Sequence, residues 1–144
     1  MTSLIKRNIL LIDDSAADAD LVRQSISTGL SAPNLTVFDD GVEALKMLRA
    51  NPSTLPDLIL LDLHMPRISG LQVLAEIKAD PVLKSIPVVV LSSSIEDREI
   101  CSVYGLHANC FITKPMDVDG YIEALRVIEE FWFDTARLPP HQSH

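Results

Sequence analysis

Positively charged residues are scarce in this 144-residue sequence: 12 Lys and Arg face 20 Asp and Glu, which leaves a net charge of −8. Proteins that bind nucleic acid use Lys and Arg to neutralise phosphates, so this balance argues against a nucleic-acid partner. Aliphatic runs are only a handful of residues long, and the N-terminal segment lacks the apolar stretch of a signal peptide. We therefore expect a cytoplasmic protein without a membrane-spanning helix.

Cysteine is also rare, and the two present are Cys101 and Cys110. They form no CxxC pair and no metal-ligand spacing, and the four histidines are too scattered for a metal site. We interpret both cysteines as reduced thiols with a structural role. Apolar residues, in contrast, make up 47 % of the chain, which is enough for the core of one domain of ordinary size.

Short apolar runs alternate with helical patterns along the chain. Strands are predicted at residues 9–12, 35–38, 58–61, 88–91 and 108–112. Helices are predicted to begin at or just after Ser15, Asp40 and Ser69, with a fourth at about 96–104, capped by Gly105, and a fifth at about 117–133. This alternation predicts an α/β fold in which five parallel strands are covered by five helices in three layers. The domain should occupy residues 1–134, and the tail at 135–144 is too short for an output domain.

Acidic side chains follow two of the predicted strands directly: Asp13 and Asp14 end one, and Asp62 ends another. In a doubly wound sheet the carboxyl ends of the strands share one rim, to which other strands bring Ser92 and Lys114. The acids would repel one another unless a cation holds them, and a few carboxylate oxygens completed by water suit Mg²⁺. Beside such a metal, a carboxylate can attack a phosphoryl group, with Lys114 supplying positive charge and Ser92 a hydroxyl donor. Taken singly, each acid also fits a helix cap, and Lys114 a surface lysine; the combination favours a site.

At these residues the sequence resembles the response-regulator receiver domain of two-component signalling. The matching segments are residues 11–15 (LIDDS), 61–70 (LDLHMPRISG), 90–93 (VLSS) and 111–115 (FITKP), and the resemblance covers about residues 6–133. Segments 80–91 and 106–111 look like those of the stand-alone regulators paired with bacterial phytochrome histidine kinases. The resemblance implies a flavodoxin-like sheet in the strand order 2-1-3-4-5.

The resemblance also implies a role for each residue of the rim. Asp62 would accept the phosphoryl group, and Ser92 and Lys114 would contact its oxygens. The implied ligands of Mg²⁺ are the side chains of Asp13 (directly or through water), Asp14 and Asp62 and the backbone carbonyl of His64. The aromatic switch of the family would be Phe111, where Tyr is commoner, and Ser92 stands where Thr is commoner. The peptide bond between Lys114 and Pro115 is expected to be cis.

The implied function is signalling: a histidine kinase phosphorylates Asp62 in a Mg²⁺-dependent reaction, and the output is a change in self-association or partner binding. A phosphorelay intermediate and a pseudo-receiver that binds a partner without phosphorylation remain alternatives. A dedicated enzyme is disfavoured, because phosphatases of the haloacid-dehalogenase-like group carry a second Asp two residues after the nucleophile, where this chain has His64.

Three successive aromatic residues, Phe131, Trp132 and Phe133, end the last predicted helix. Because a helix turns about 100° per residue, the three rings cannot all face one core. A tail that folds back would cover the exposed ring; alternatively, the ring belongs to an oligomer interface, where Trp and Phe are favoured. We predict a homodimer through this helix.

Overall fold

The computed structural model describes residues 7–26, 32–93 and 96–135. The strands are β1 (Asn8–Ile12), β2 (Asn34–Phe38), β3 (Leu58–Asp62), β4 (Val88–Ser92) and β5 (Cys110–Thr113). The helices that alternate with them are α1 (Ala16–Ser25), α2 (Gly41–Ala50), α3 (Gly70–Ala79), α4 (Asp97–Gly105) and α5 (Val118–Glu130), and a π-helical turn, Phe131–Thr135, continues α5. The predicted alternation is confirmed, although β5 begins two residues later than expected.

All five strands pair in parallel, in the order β2-β1-β3-β4-β5, which confirms the predicted topology. β3 and β4 are buried along their whole length, because helices cover both faces of the sheet. Successive strand residues point to opposite faces: Ile59 and Leu61 belong to one apolar cluster, and Leu58 and Leu60 to the other. The parallel pairing of these strands brings the carboxyl ends of β1, β3 and β4 to one rim.

Side-chain caps fix where three helices begin, as the sequence predicts. Ser15 Oγ accepts the Asp18 backbone N–H at 3.1 Å, and Asp40 Oδ1 accepts the Val42 N–H at 2.8 Å. Ser69 forms a full capping box with Gln72 at the start of α3. These caps satisfy backbone donors that have no partner within the helix, so each loop leaving a strand turns into its helix at a defined residue.

The end of α4 differs from the prediction. Gly105 is the last helical residue rather than the cap, and the left-handed backbone conformation lies at His107, with a φ of 69°. The His107 N–H donates to the Tyr104 carbonyl at 2.9 Å, which closes the helix. Glycine is the usual residue for this conformation, but His also adopts it more often than most side chains do.

Two expectations about the rest of the chain are tested in part. Within the ranges that the structure describes, no helix combines the length and the hydrophobicity needed to cross a bilayer. Cys101 is exposed and Cys110 half-buried, and both are free thiols. The predicted tail lies outside the described residues, apart from its first residue.

Candidate functional site

Three carboxylates meet where β1 and β3 end. Asp13 and Asp14 follow β1 directly and Asp62 is the last residue of β3; one oxygen of each lies within 4.8 Å of the others. Asp13 and Asp62 are buried, whereas Asp14 is exposed. The Asp13 backbone N–H donates to the Phe38 carbonyl at 3.0 Å, which holds it against the end of β2. The predicted cluster therefore forms, and its oxygens are the ligand type that a hard divalent cation prefers.

Lys114 reaches this cluster from the loop after β5. Its Nζ lies 2.7 Å from Asp18 Oδ2, 3.2 Å from Asp13 Oδ2 and 3.5 Å from Asp62 Oδ1, and its side chain is only 12 % exposed. The Lys114 backbone N–H donates to the Ser92 carbonyl at 2.7 Å, which fixes the loop beside β4. The lysine predicted to join the acids does so.

The expected cis bond between Lys114 and Pro115 is wrong, because the peptide bonds of the described residues include no cis bond. The trans form is the more stable one even before proline, by about 0.5–1 kcal/mol. From a trans bond the four-carbon side chain of Lys114 still reaches all three carboxylates, so its position does not require the cis form.

Ser92 is the last residue of β4 and is completely buried. The register pairs Asp62 of β3 with Leu91, so Ser92 lies one residue farther along the same rim. It pairs with Thr113 of β5, next to Lys114. The strand ends thus bring together the acids, the serine and the lysine that the sequence singles out.

Burial and neighbouring charges set the protonation of this cluster. Burial raises the pKa of Asp62 to about 6; Lys114 opposes the shift and the charge of Asp13 adds to it. Burial also raises the pKa of Asp13, against a backbone hydrogen bond from Ser15. Burial alone would lower the pKa of Lys114, but its hydrogen bond to Asp18 and the charges of Asp13 and Asp62 raise it overall. Ionising all the acids therefore costs free energy unless a cation joins them.

In the absence of divalent metal, stability should fall as pH rises through the range in which Asp62 ionises. Its pKa is about 6 in the folded chain and about 3.9 in an unfolded chain, so the unfolded state releases the proton first. Above pH of about 6, Asp62→Asn should therefore be more stable than the wild type by about 2 kcal/mol, and near pH 4 the difference should shrink. Urea unfolding of both proteins at the two pH values checks this; a difference that does not vary with pH would contradict it.

Phe111, the predicted switch residue, is half-buried and packs against the apolar cluster that contains Val90 and Val103. Its backbone N–H donates to the phenol oxygen of Tyr104 in α4, at 3.1 Å. This hydrogen bond connects α4 with β5. Sequence reasoning missed Tyr104, because no motif relates the two residues.

His64 follows Asp62 in the loop that leads to α3. Its backbone hydrogen bond to the Asp62 carboxylate lowers the pKa of that group, and its exposed imidazole Nε2 lies 3.3 Å from Glu99 Oε1 of α4. This contact connects the loop that carries the site with α4, and no sequence motif indicated Glu99. The predicted role of the His64 carbonyl in metal binding stays a prediction.

Asp18 is the second acid that sequence reasoning did not assign to the site. Its backbone N–H donates to the Ser15 cap at the start of α1. The Asp18 carboxylate, however, accepts a hydrogen bond from Lys114 at 2.7 Å, from 96 residues farther along the chain. Because no sequence motif connects Asp18 with Lys114, the sequence did not indicate this ion pair.

A doubly wound parallel sheet with acids, serine and lysine at its carboxyl rim defines a receiver domain of a response regulator. Residues 9–126 match that family, the response regulator receiver domain, and the chain belongs to it. The predicted family and the likeness to phytochrome response regulators are both confirmed by the relatives described next.

The chain is 41 % identical over 135 residues to response regulator Rcp1 of Synechocystis sp., an alignment that covers 91 % of this chain and 92 % of Rcp1. Its structure is similar to that of the phosphorylated cyanobacterial phytochrome response regulator RcpA, with a TM-score of 0.90, 43 % identity and coverage of 94 % and 100 % of the two chains. It is also similar to the Mn²⁺-bound form of Rcp1, with a TM-score of 0.87, 40 % identity and coverage of 93 % and 99 %.

Proposed function

We propose that Asp62 accepts a phosphoryl group from a histidine kinase, of the phytochrome type, in a reaction that requires Mg²⁺. The observation that carries this proposal is the convergence of Asp13, Asp14 and Asp62 within 4.8 Å, with Lys114 Nζ 3.5 Å from Asp62. A carboxylate nucleophile, further acids that can hold a metal ion and a cationic side chain each serve phosphoryl transfer to a carboxylate, and here they occupy one rim.

The three carboxylates fit a hard divalent cation, because they offer several closely spaced oxygens and excess negative charge. Asp13, Asp14 and Asp62 would hold Mg²⁺, together with the backbone carbonyl of His64. When bound, the ion neutralises charge on the acids and on phosphoryl oxygens, so that a carboxylate can approach a phosphodianion. The similar protein Rcp1 has been solved in a Mn²⁺-bound form, which supports a divalent ion here.

The reaction itself is performed by side chains of this chain. An Asp62 carboxylate oxygen attacks the phosphorus of phosphohistidine; the P–N bond breaks, and the imidazole leaves with the electron pair and takes a proton from solvent. Lys114, held in its charged form by the acids, pairs with the transferred phosphoryl oxygens. The Ser92 hydroxyl donates a hydrogen bond to another of these oxygens.

The signal leaves the site through β5 and α4. As Ser92 moves towards the phosphoryl group, space opens into which Phe111 repacks. Because the Phe111 N–H donates to Tyr104, a shift of β5 also acts on α4. The result is a population shift between two conformations, for which the phosphoryl group supplies the contacts that differ.

Transfer of radiolabel from an autophosphorylated phytochrome-type histidine kinase tests the proposal. We expect label on the wild type and none on Asp62→Asn. Asp39→Asn is the matched control, because Asp39 also follows a strand but is exposed at the sheet edge, and it should accept label like the wild type. Label on Asp62→Asn would contradict the site, and equally fast transfer from unrelated histidine kinases would contradict the phytochrome pairing.

We also propose a homodimer that forms through the end of α5. Phe131 is 50 % exposed and shares a helix face with Val127, 54 % exposed. Trp132 and Phe133 pack instead against the apolar cluster that contains Leu125, and the rings of Phe131 and Trp132 meet edge-on, 5.2 Å apart. The prediction that the three aromatics cannot all face one core is thus confirmed, and Phe131 is the ring left for an interface.

Phe131→Ala should weaken this dimer, because it removes the exposed ring and leaves the packed rings in place. Light scattering at tens of micromolar, with and without a phosphodonor, should show a dimer for the wild type and a shift to monomer for Phe131→Ala. Val82→Ala, a truncation of another exposed apolar residue (48 %) before β4, should not change the mass. A wild type that is monomeric in both conditions would contradict the proposal.

A further inference from the structure

Lys114 has three carboxylate neighbours, and the closest of them is not the proposed phosphoacceptor. Its Nζ lies 2.7 Å from Asp18 Oδ2 but 3.5 Å from Asp62 Oδ1. An ammonium group has three N–H donors, and Lys114 gives one to Asp18 and one to Asp13. In the unmodified protein, Asp18 therefore competes with Asp62 for the lysine that phosphoryl transfer needs.

The position of Asp18 in α1 does not by itself explain this contact. An acid in the first helical turn is favoured by the helix dipole whatever its side chain contacts. Asp20, two residues later, remains on the exposed face of α1, paired with Arg23 at 2.8 Å, and is 67 % exposed. The Asp18 side chain is only 25 % exposed, because it turns inwards to Lys114.

Tyr121 of α5 provides a second, independent observation. It is 4 % exposed, and within the described residues its phenol oxygen is buried without a hydrogen-bond partner. Buried polar groups are nearly always paired, so a buried unpaired hydroxyl needs an explanation. Tyr121 and Lys114 line the same cavity, which places the phenol beside the lysine. Burial raises the pKa of Tyr121, so the phenol stays protonated and can donate a hydrogen bond.

We propose that Asp18 is a positioning residue that holds Lys114 while Asp62 is unmodified. Once Lys114 turns to the phosphoryl group, the Tyr121 hydroxyl donates a hydrogen bond to Asp18 in place of the lysine. This inference rests on the proposed phosphorylation of Asp62. Phosphorylation replaces the single negative charge of the Asp62 carboxylate by a charge of about −2 on the phosphoryl group, beside a lysine that already lies near Asp62. Asp18, which is half-buried, then loses its partner. A hydrogen bond from the Tyr121 phenol to Asp18 gives a partner to the carboxylate and to the hydroxyl. Because α1 packs against α5, phosphorylation would reach that interface as well as α4.

Phosphorylation by acetyl phosphate and Mg²⁺ tests the competition. In this reaction an Asp62 oxygen attacks phosphorus, the bond from phosphorus to the acetyl oxygen breaks, and acetate leaves with the electron pair. Asp18→Asn removes the competing charge and should be phosphorylated roughly fivefold faster than the wild type, the size of one modest ion pair. Asp20→Asn, the same change on the same helix, should react at the wild-type rate. A rate for Asp18→Asn equal to or below that of the wild type would overturn the proposal.

Tyr121→Phe tests the proposed hydrogen bond from Tyr121 to Asp18 and leaves the Lys114 side chain unchanged. It removes a hydroxyl that has no partner among the described residues of the unmodified protein, so stability before phosphorylation should be unchanged or slightly higher. The phosphorylated form should lose its phosphoryl group several-fold faster, because Asp18 then has no donor and draws Lys114 back. An unchanged lifetime of the phosphorylated form would contradict this role.

The ¹³Cζ resonance of Tyr121, assigned by its absence in Tyr121→Phe, gives a readout that stability alone does not affect. Phosphorylation should shift this resonance in the wild type, because the phenol gains an acceptor, and should leave it in place in Asp18→Asn. Absence of the shift in phosphorylated wild type would reject this inference alone. Absence of any phosphorylation of the wild type would reject the proposed function and with it the inference.

Discussion

Lys114→Met should destabilise the metal-free protein by about 3 kcal/mol at neutral pH, because one partner of a buried ion pair is removed and the other remains. The ammonium group of Lys114 faces Asp13, Asp18 and Asp62 in a position that is only 12 % exposed. Methionine retains a long apolar side chain, so the change chiefly removes the charge. The acids of the rim are then left to repel one another at close range.

Urea unfolding with and without Mg²⁺ measures this effect. Saturating Mg²⁺ should restore part of the lost stability. Lowering the pH towards 4 should narrow the difference in stability, because Asp62 and Asp13, whose pKa values burial raises, then take up protons. Lys46→Met is the control, since Lys46 is 70 % exposed and pairs with Glu43, three residues earlier on the same helix. It should unfold almost like the wild type. If metal-free Lys114→Met is as stable as the metal-free wild type, Lys114 does not offset the repulsion between the acidic side chains of the rim.

Gly70→Ala should destabilise the fold by about 3 kcal/mol and slow the phosphorylation of Asp62. A Cβ at Gly70 would lie 2.6 Å from Leu63 Cα and 2.9 Å from Leu63 O, and closer still to the Asp62 carbonyl oxygen. These are backbone atoms, which cannot rotate away as a side chain can. The Gly70 N–H also donates to Leu63 O at 2.9 Å, so α3 and the end of β3 would have to separate.

Thermal unfolding, together with the rate of phosphorylation by acetyl phosphate, checks this prediction. Gly105→Ala is the matched control, because a Cβ there meets nothing within 4 Å and Gly105 is the last residue of α4. Alanine at that position should leave stability unchanged or raise it slightly. Equal effects of the two substitutions would show that the close approach of α3 to β3 does not position Asp62.

The parts of the structure that the sequence predicted depend on local signals. The apolar run before Asp62 forms a buried strand because exposing its four aliphatic side chains to water would cost free energy. Ser69 caps α3 through Gln72, only three positions away. The meeting of Asp13, Asp62 and Lys114 also followed, because parallel strands bring their carboxyl ends to one rim.

The parts that the sequence did not predict depend on side-chain contacts between different elements of the fold. The Asp18–Lys114 pair joins residues 96 positions apart, and the Tyr104–Phe111 hydrogen bond depends on how α4 packs against β5. Two expectations are wrong: the Gly105 cap of α4 and the cis bond between Lys114 and Pro115. His107 takes the left-handed conformation that glycine usually supplies, and Lys114 reaches its acids from a trans bond.

The intact mass of the protein after incubation with acetyl phosphate tests the central claim, phosphorylation of Asp62 with Mg²⁺, most directly. We predict the addition of one phosphoryl group to the wild type and to Asp39→Asn when Mg²⁺ is present. We predict no addition to Asp62→Asn, and none to the wild type after a chelator has removed divalent metal. An unmodified wild type in the presence of Mg²⁺, or a phosphoryl group that persists on Asp62→Asn, would contradict the claim.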